Sequence, residues 1–154
     1  MKKLLLTAII CIIIVSCSAP KDDIPVQILA TTLGEKIDGF ENLTQASDDY
    51  IKYCMESDLS LYSEYIVLYP FAGTEYNEIG IFKVDDANNT DEGIKEVEKY
   101  LMFKKSNWDT RYKNDEFSKI ENAKITSCGK YILYTILSDA EMESVISAFK
   151  ASLK

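Results

Sequence analysis

The spacing of apolar positions divides the chain into an unbroken N-terminal run, followed by segments that alternate between helical and extended periods. Residues 4–15 are apolar apart from Thr7. After a short polar stretch, Val26, Leu29, Leu33 and Ile37 recur at i, i+3, i+7 and i+11, one face of an amphipathic helix. Asp22 or Asp23 precedes this helix as a cap. Pro25 falls in its opening turn, where a missing N–H costs nothing, and Gly39 is placed to close it. A shorter helix is expected from about Ser47, with Tyr50, Ile51, Cys54 and Met55 on one side. Residues 61–69 then change to Tyr, Ile, Val and Leu, a strand composition. Pro70 and Gly73 break that run, and residues 78–84 form a second strand close enough for an antiparallel hairpin.

Asn89 or Thr90 is the expected cap of the next helix, whose apolar face carries Ile94, Val97, Leu101 and Trp108. Its acids cluster at the start and Lys104 and Lys105 near the end, as the helix macrodipole favours. Residues 109–122 read as a looser polar segment with one helical turn around Phe117. Residues 123–127 and 131–137 read as a second hairpin turning at Cys128-Gly129-Lys130. Ser138-Asp139-Ala140-Glu141 fits a capping box, and Met142, Val145, Ile146 and Phe149 follow the helical period behind it. The element order is therefore ααββαββα. This is an α+β class chain, expected to form a two-layer sandwich of a mainly antiparallel sheet of about four strands with helices on one face.

The N-terminal run has the layout of a secretory signal peptide: Lys2 and Lys3, a dozen-residue apolar core, then small residues. It is short of the roughly twenty residues that a permanent span needs. The segment Ile14-Val15-Ser16-Cys17 resembles the bacterial lipobox, which implies diacylglyceryl transfer to Cys17 and cleavage after Ser16. A single acyl chain binds membranes marginally, and two hold firmly. Residues 1–16 are thus expected to be removed, with 17–24 as lipidated cysteine and linker and 25–154 as one domain. The expected location is the outer face of the cell membrane.

Without residues 1–16 the chain carries 15 basic against 25 acidic residues, a net charge of −10. That balance argues against nucleic acid and anionic headgroups as partners. An envelope protein or a cell-wall ligand is the partner class left open. The chain has no histidine, so Ser-His-Asp, Cys-His and His-bound zinc chemistry are excluded, and nothing in the sequence calls for a cofactor. Cys54 and Cys128 form a disulfide or remain two free thiols.

The segment Asn77-Glu78-Ile79-Gly80-Ile81-Phe82-Lys83 resembles the D-E-I-A-I-F-K signature of a clostridial lipoprotein family catalogued as a domain of unknown function, DUF4358. Gly129-Lys130-Tyr131-Ile132-Leu133 is similar to that family's G-N-Y-V-L strand, and the resemblance covers roughly residues 25–150. Here Asn77 stands for the family's acid, Gly80 for its alanine and Lys130 for its asparagine. The resemblance implies lipoprotein topology and carries no activity or catalytic residue with it.

Three candidate chemistries remain. Asp85, Asn89, Asp91 and Glu96 approximate an EF-hand spacing, but Ala87 and Thr90 occupy positions that want a ligand and a glycine. Helix capping accounts for the same residues. Glu64, Glu75 and Glu78 flank the first hairpin and would serve a carboxylate-dependent envelope hydrolase if two of them converged about 5–9 Å apart. Finally, Tyr65, Tyr69, Tyr131 and Tyr134 lie on expected strands and would offer a ligand or partner face if exposed, or strand packing if half buried. A non-catalytic binding or accessory module is the leading expectation.

Overall fold

The computed structural model describes residues 19–70, 76–109 and 114–154, without the side chains of residues 114 and 115. The expected signal peptide, Cys17 and Glu75 lie outside the described residues. Five antiparallel strands form one sheet in the order β1-β2-β3-β5-β4. They are β1 (Leu43–Gln45), β2 (Tyr62–Pro70), β3 (Glu78–Val84), β4 (Lys124–Cys128) and β5 (Tyr131–Ile136). The α-helices are α1 (Val26–Gly34), α2 (Thr90–Asn107), α3 (Asn114–Glu121) and α4 (Asp139–Ser152), and a π-helical turn spans Tyr50–Cys54. Among the described residues no helix is long and apolar enough to cross a membrane.

The α+β class and both hairpins stand as read from the sequence, but the helices cover both faces of the sheet rather than one. Ile66, Leu68, Ile79, Ile81 and Leu133 pack on one side with α1 and α4. Val67, Phe82, Val84, Ile132 and Ile136 pack on the other with α2, α3 and the π-helical turn. The reason lies in the central strands. Every residue of β5 is buried, and in β3 only Lys83 is not. A strand apolar on both sides must be covered on both sides. A single helical layer would leave Phe82, Val84, Ile132 and Ile136 in water at about 1.5–3 kcal/mol each.

The remaining differences are local. Helix α1 ends at Gly34, not Gly39, because the Phe40 ring folds back over it; a Cβ at residue 34 would stand 2.4 Å from Phe40 Cε1. Ile37 still reaches the core from the turn that follows. Strand β1, absent from the sequence reading, is a three-residue edge pairing Leu43, Thr44 and Gln45 with Pro70, Tyr69 and Leu68. The turn of helix around Phe117 extends into α3. Helix α4 starts where its capping box predicted: Glu141 accepts from the Ser138 backbone N–H at 3.2 Å and from the Ser138 hydroxyl.

A buried carboxylate and an open groove at one end of the sheet

Strand β3 is flanked by β2 and β5, so its first residue, Glu78, is sealed from water. Its side chain points to the α2 face. Oε1 accepts from Tyr100 Oη and from Tyr134 Oη, each at 2.7 Å, and Oε2 receives Lys104 Nζ at 2.7 Å. Lys104 also donates to Tyr76 Oη, and its ammonium lies 4.8 Å and 4.9 Å from the ring centroids of Tyr100 and Tyr76. The Tyr100 proton is committed to Glu78, so the Tyr50 hydroxyl, 3.1 Å away, donates to Tyr100. The Tyr50 ring in turn stacks on Tyr69, 4.8 Å between centroids and within 2° of parallel. Burial first, and the neighbouring phenol and carboxylate next, hold the Tyr100 phenol far above its ordinary pKa. Tyr134, Tyr76 and Tyr50 are raised too, by burial and then by Glu78. Each therefore stays a neutral donor.

Two sequence features make this cluster possible. Residues 78, 80, 82 and 84 alternate onto one face of the sheet, and Gly80 leaves that face bare beneath the Tyr134 ring. A Cβ at residue 80 would stand 2.0 Å from Tyr134 Cε1, so glycine lets the ring cross β3 and reach Glu78. On α2, Tyr100 and Lys104 are four residues apart and share a face, which brings both to the same carboxylate. Asn77, also buried, donates to the Asp38 carbonyl at 3.3 Å and accepts from Lys119 Nζ at 2.9 Å, tying α3 to the start of β3.

The expected sites fare differently. Tyr131 and Tyr134 are fully buried and lie on opposite faces of the sheet, so the four tyrosines do not form one exposed surface. Tyr65 and Tyr69 share the α2 face and are half-buried. Alternation along β5 separates residues 131 and 134, and a sheet covered on both sides hides both rings. The Glu64 and Glu78 carboxylates do not converge. Glu64 pairs in register with Lys83, at the far end of β3 from Glu78, where it takes Lys83 Nζ at 2.8 Å and the Val26 N–H at 3.0 Å. In the region with EF-hand spacing, Asp86 accepts from Asn88 N at 2.9 Å, a turn-forming contact. Glu96 turns away to Ser57 Oγ (2.6 Å) and Tyr62 Oη (3.1 Å). Among the described residues no three His, Cys, Asp or Glu side chains gather as metal ligands. Cys54 and Cys128 are free thiols.

The sequence reading missed a groove of about 470 Å³ between the start of β4 and the first turns of α4, lined by Asn122, Lys124, Asp139, Met142 and Glu143. A smaller hollow of about 230 Å³, sharing Asn122 and Asp139 with it, continues towards Ser118 and Lys119. No sequence signal marks the groove, because its polar residues come from three separate elements and carry no common motif.

Residues 37–137, which include the Glu78 cluster and end just short of the α4 side of the groove, match the family described as Domain of unknown function (DUF4358). The chain belongs to that family. Neither a curated protein nor a solved structure matches it. Within this DUF4358 domain the segment Asn77–Lys83 supplies the Glu78 carboxylate, the glycine under Tyr134 and the Lys83 partner of Glu64.

Proposed function

We propose that this DUF4358 domain is the body of a cell-surface lipoprotein, anchored through a diacylglyceryl group on Cys17, that binds an envelope protein or cell-wall ligand without transforming it. The observation that carries the non-catalytic part is the state of Glu78. It is the one acid of the Asn77–Lys83 segment, it is 0 % exposed, and both of its oxygens are held by donors. Such a carboxylate locks strand to helix and has no face left for a substrate. Among the described residues, an open polar surface is offered instead by the groove at Asn122, Lys124 and Asp139. The anchor rests on the lipobox-like segment Ile14–Cys17.

A carboxylate hydrolase is the second reading, favoured by one feature: Asp139 and Glu143 stand one helical turn apart on the groove wall. Both are solvent-exposed, outside the enclosed cleft that a pair of catalytic carboxylates needs. The experiment is in-cell photo-cross-linking of the full-length protein with the reactive side chain at Lys124, beside a Cys17→Ala version. Reproducible adducts that depend on the anchor support the binding module. Absence of adducts, together with release of soluble cell-wall fragments that Asp139→Asn/Glu143→Gln abolishes, replaces it with the hydrolase.

A further inference from the structure

We infer that the domain stands end-on upon its tether, with the groove held on the side facing away from the membrane. The inference rests on the reading of Cys17 as the lipidated residue, and on the way the linker behind it is fastened. From Pro20 onwards the linker does not run free. The Lys21 N–H donates to the Leu153 carbonyl at 2.9 Å, and the Tyr131 hydroxyl donates to the Ile24 carbonyl at 2.7 Å. Lys130 Nζ lies 3.7 Å from Asp22. Pro20 lies against Gly129, where φ is +58° and a Cβ would come within 3.0 Å of the proline. The linker is therefore stitched to one end of the body: the β4–β5 turn and the C-terminus of α4. Cys17 precedes Pro20 by three residues, and covalent geometry allows three residues at most about 11 Å.

The groove is built at the opposite end of the same elements. In the β4–β5 ladder Cys128 pairs with Tyr131 beside the tether, while Lys124 pairs with Thr135 beside the groove. Helix α4 runs from Asp139 on the groove wall to Ser152, next to the Leu153 carbonyl that holds Lys21. Fourteen residues at about 1.5 Å rise separate the two ends by roughly 20 Å. With that body between them, the groove meets a partner lying beyond the lipid headgroups. Without residues 1–16 the chain carries 15 basic against 25 acidic residues, and a net charge of −10 adds no attraction that would lay the groove down on an anionic leaflet.

The test uses the full-length lipidated protein in liposomes containing lipids with nitroxide headgroups, in a Cys54→Ser/Cys128→Ser background. A fluorophore is attached through Lys154→Cys at the tethered end, or through Asn122→Cys at the groove. Both native residues are exposed, and neither belongs to the two buried clusters. The expected result is a severalfold larger loss of fluorescence for the label at 154 than for the label at 122. Equal quenching, or the reverse order, on protein whose N-terminal peptide has the mass of a diacylglyceryl cysteine overturns the orientation alone. An N-terminal peptide without that mass overturns the anchor, and the orientation with it.

Discussion

Glu78 shows how a single residue organises a small core. Taking a carboxylate out of water costs several kcal/mol, which its neighbours must return through well-made contacts. Here two phenols and an ammonium do so at 2.7 Å each. Glu78→Ala is expected to cost about 3–5 kcal/mol, because Lys104, only 11 % exposed, is left without its counter-charge. The double variant Glu78→Leu/Lys104→Met is expected to recover much of that loss. Urea denaturation of both decides the matter, and an additive or greater loss in the double variant sinks the argument. The opposite case is Thr135, whose hydroxyl is buried without a partner among the described residues. Thr135→Val keeps the shape and removes the stranded group, so it should stabilise by about 1 kcal/mol. A lower urea midpoint would mean that the hydroxyl has a partner in solution.

At the scale of elements, helix α1 shows how one segment supplies what another lacks. Its N-cap is Pro25, which has no side-chain acceptor, so the Val26 N–H is taken by Glu64 from β2. Lys83 on β3 fixes that carboxylate, and its hydrogen bond holds the Glu64 carboxyl below the usual carboxylate range. The folded-state pKa is thus the lower one. The stabilisation is fully present above the ordinary carboxylate pKa and is lost as pH falls through the depressed value. Glu64→Gln should therefore flatten the acid limb of a plot of Tm against pH and leave the neutral region less stable than in the parent. An acid limb of unchanged slope would show that Glu64 is not the titrating group. The same logic of borrowed partners joins α3 to β3 through Lys119 and Asn77.

For the whole molecule, the tyrosine cluster sets the alkaline limit. Burial raises the phenols of Tyr50, Tyr62, Tyr76, Tyr100 and Tyr134 above their ordinary value of 10.0. Because the folded-state pKa is the higher one, these groups stabilise the fold fully below pH 10 and lose that contribution as pH rises beyond it. Tyrosinate absorbance from the buried rings should appear together with loss of helical circular dichroism. Tyrosinate appearing well before unfolding would show that the cluster opens to water on its own. Among the described residues, the Asn122–Glu143 groove remains an open polar hollow beside these covered faces.

The periodicity of residues 139–152, the capping box at Ser138 and the alternation of residues 78–84 are local facts, so the sequence determined α4 and β3 nearly to the residue. It also determined the absence of histidine and the family signature around Glu78. Only the tertiary structure decided which way each face looked. The run 131–137 is apolar at almost every position, and whether one or two helical layers cover it depends on how α1, α2 and α4 return to the sheet. That choice buried Tyr131 and Tyr134 on opposite sides. The Glu78 cluster is legible in retrospect from Gly80 and the i, i+4 pair Tyr100 and Lys104. It joins residues from β3, β5, α2 and the π-helical turn, and long-range convergence of that kind leaves no periodic trace in a chain. The groove and the contacts that hold Lys21 to Leu153 and Ile24 to Tyr131 are likewise made by residues far apart in the chain and brought together by packing, which is why only the folded molecule shows them.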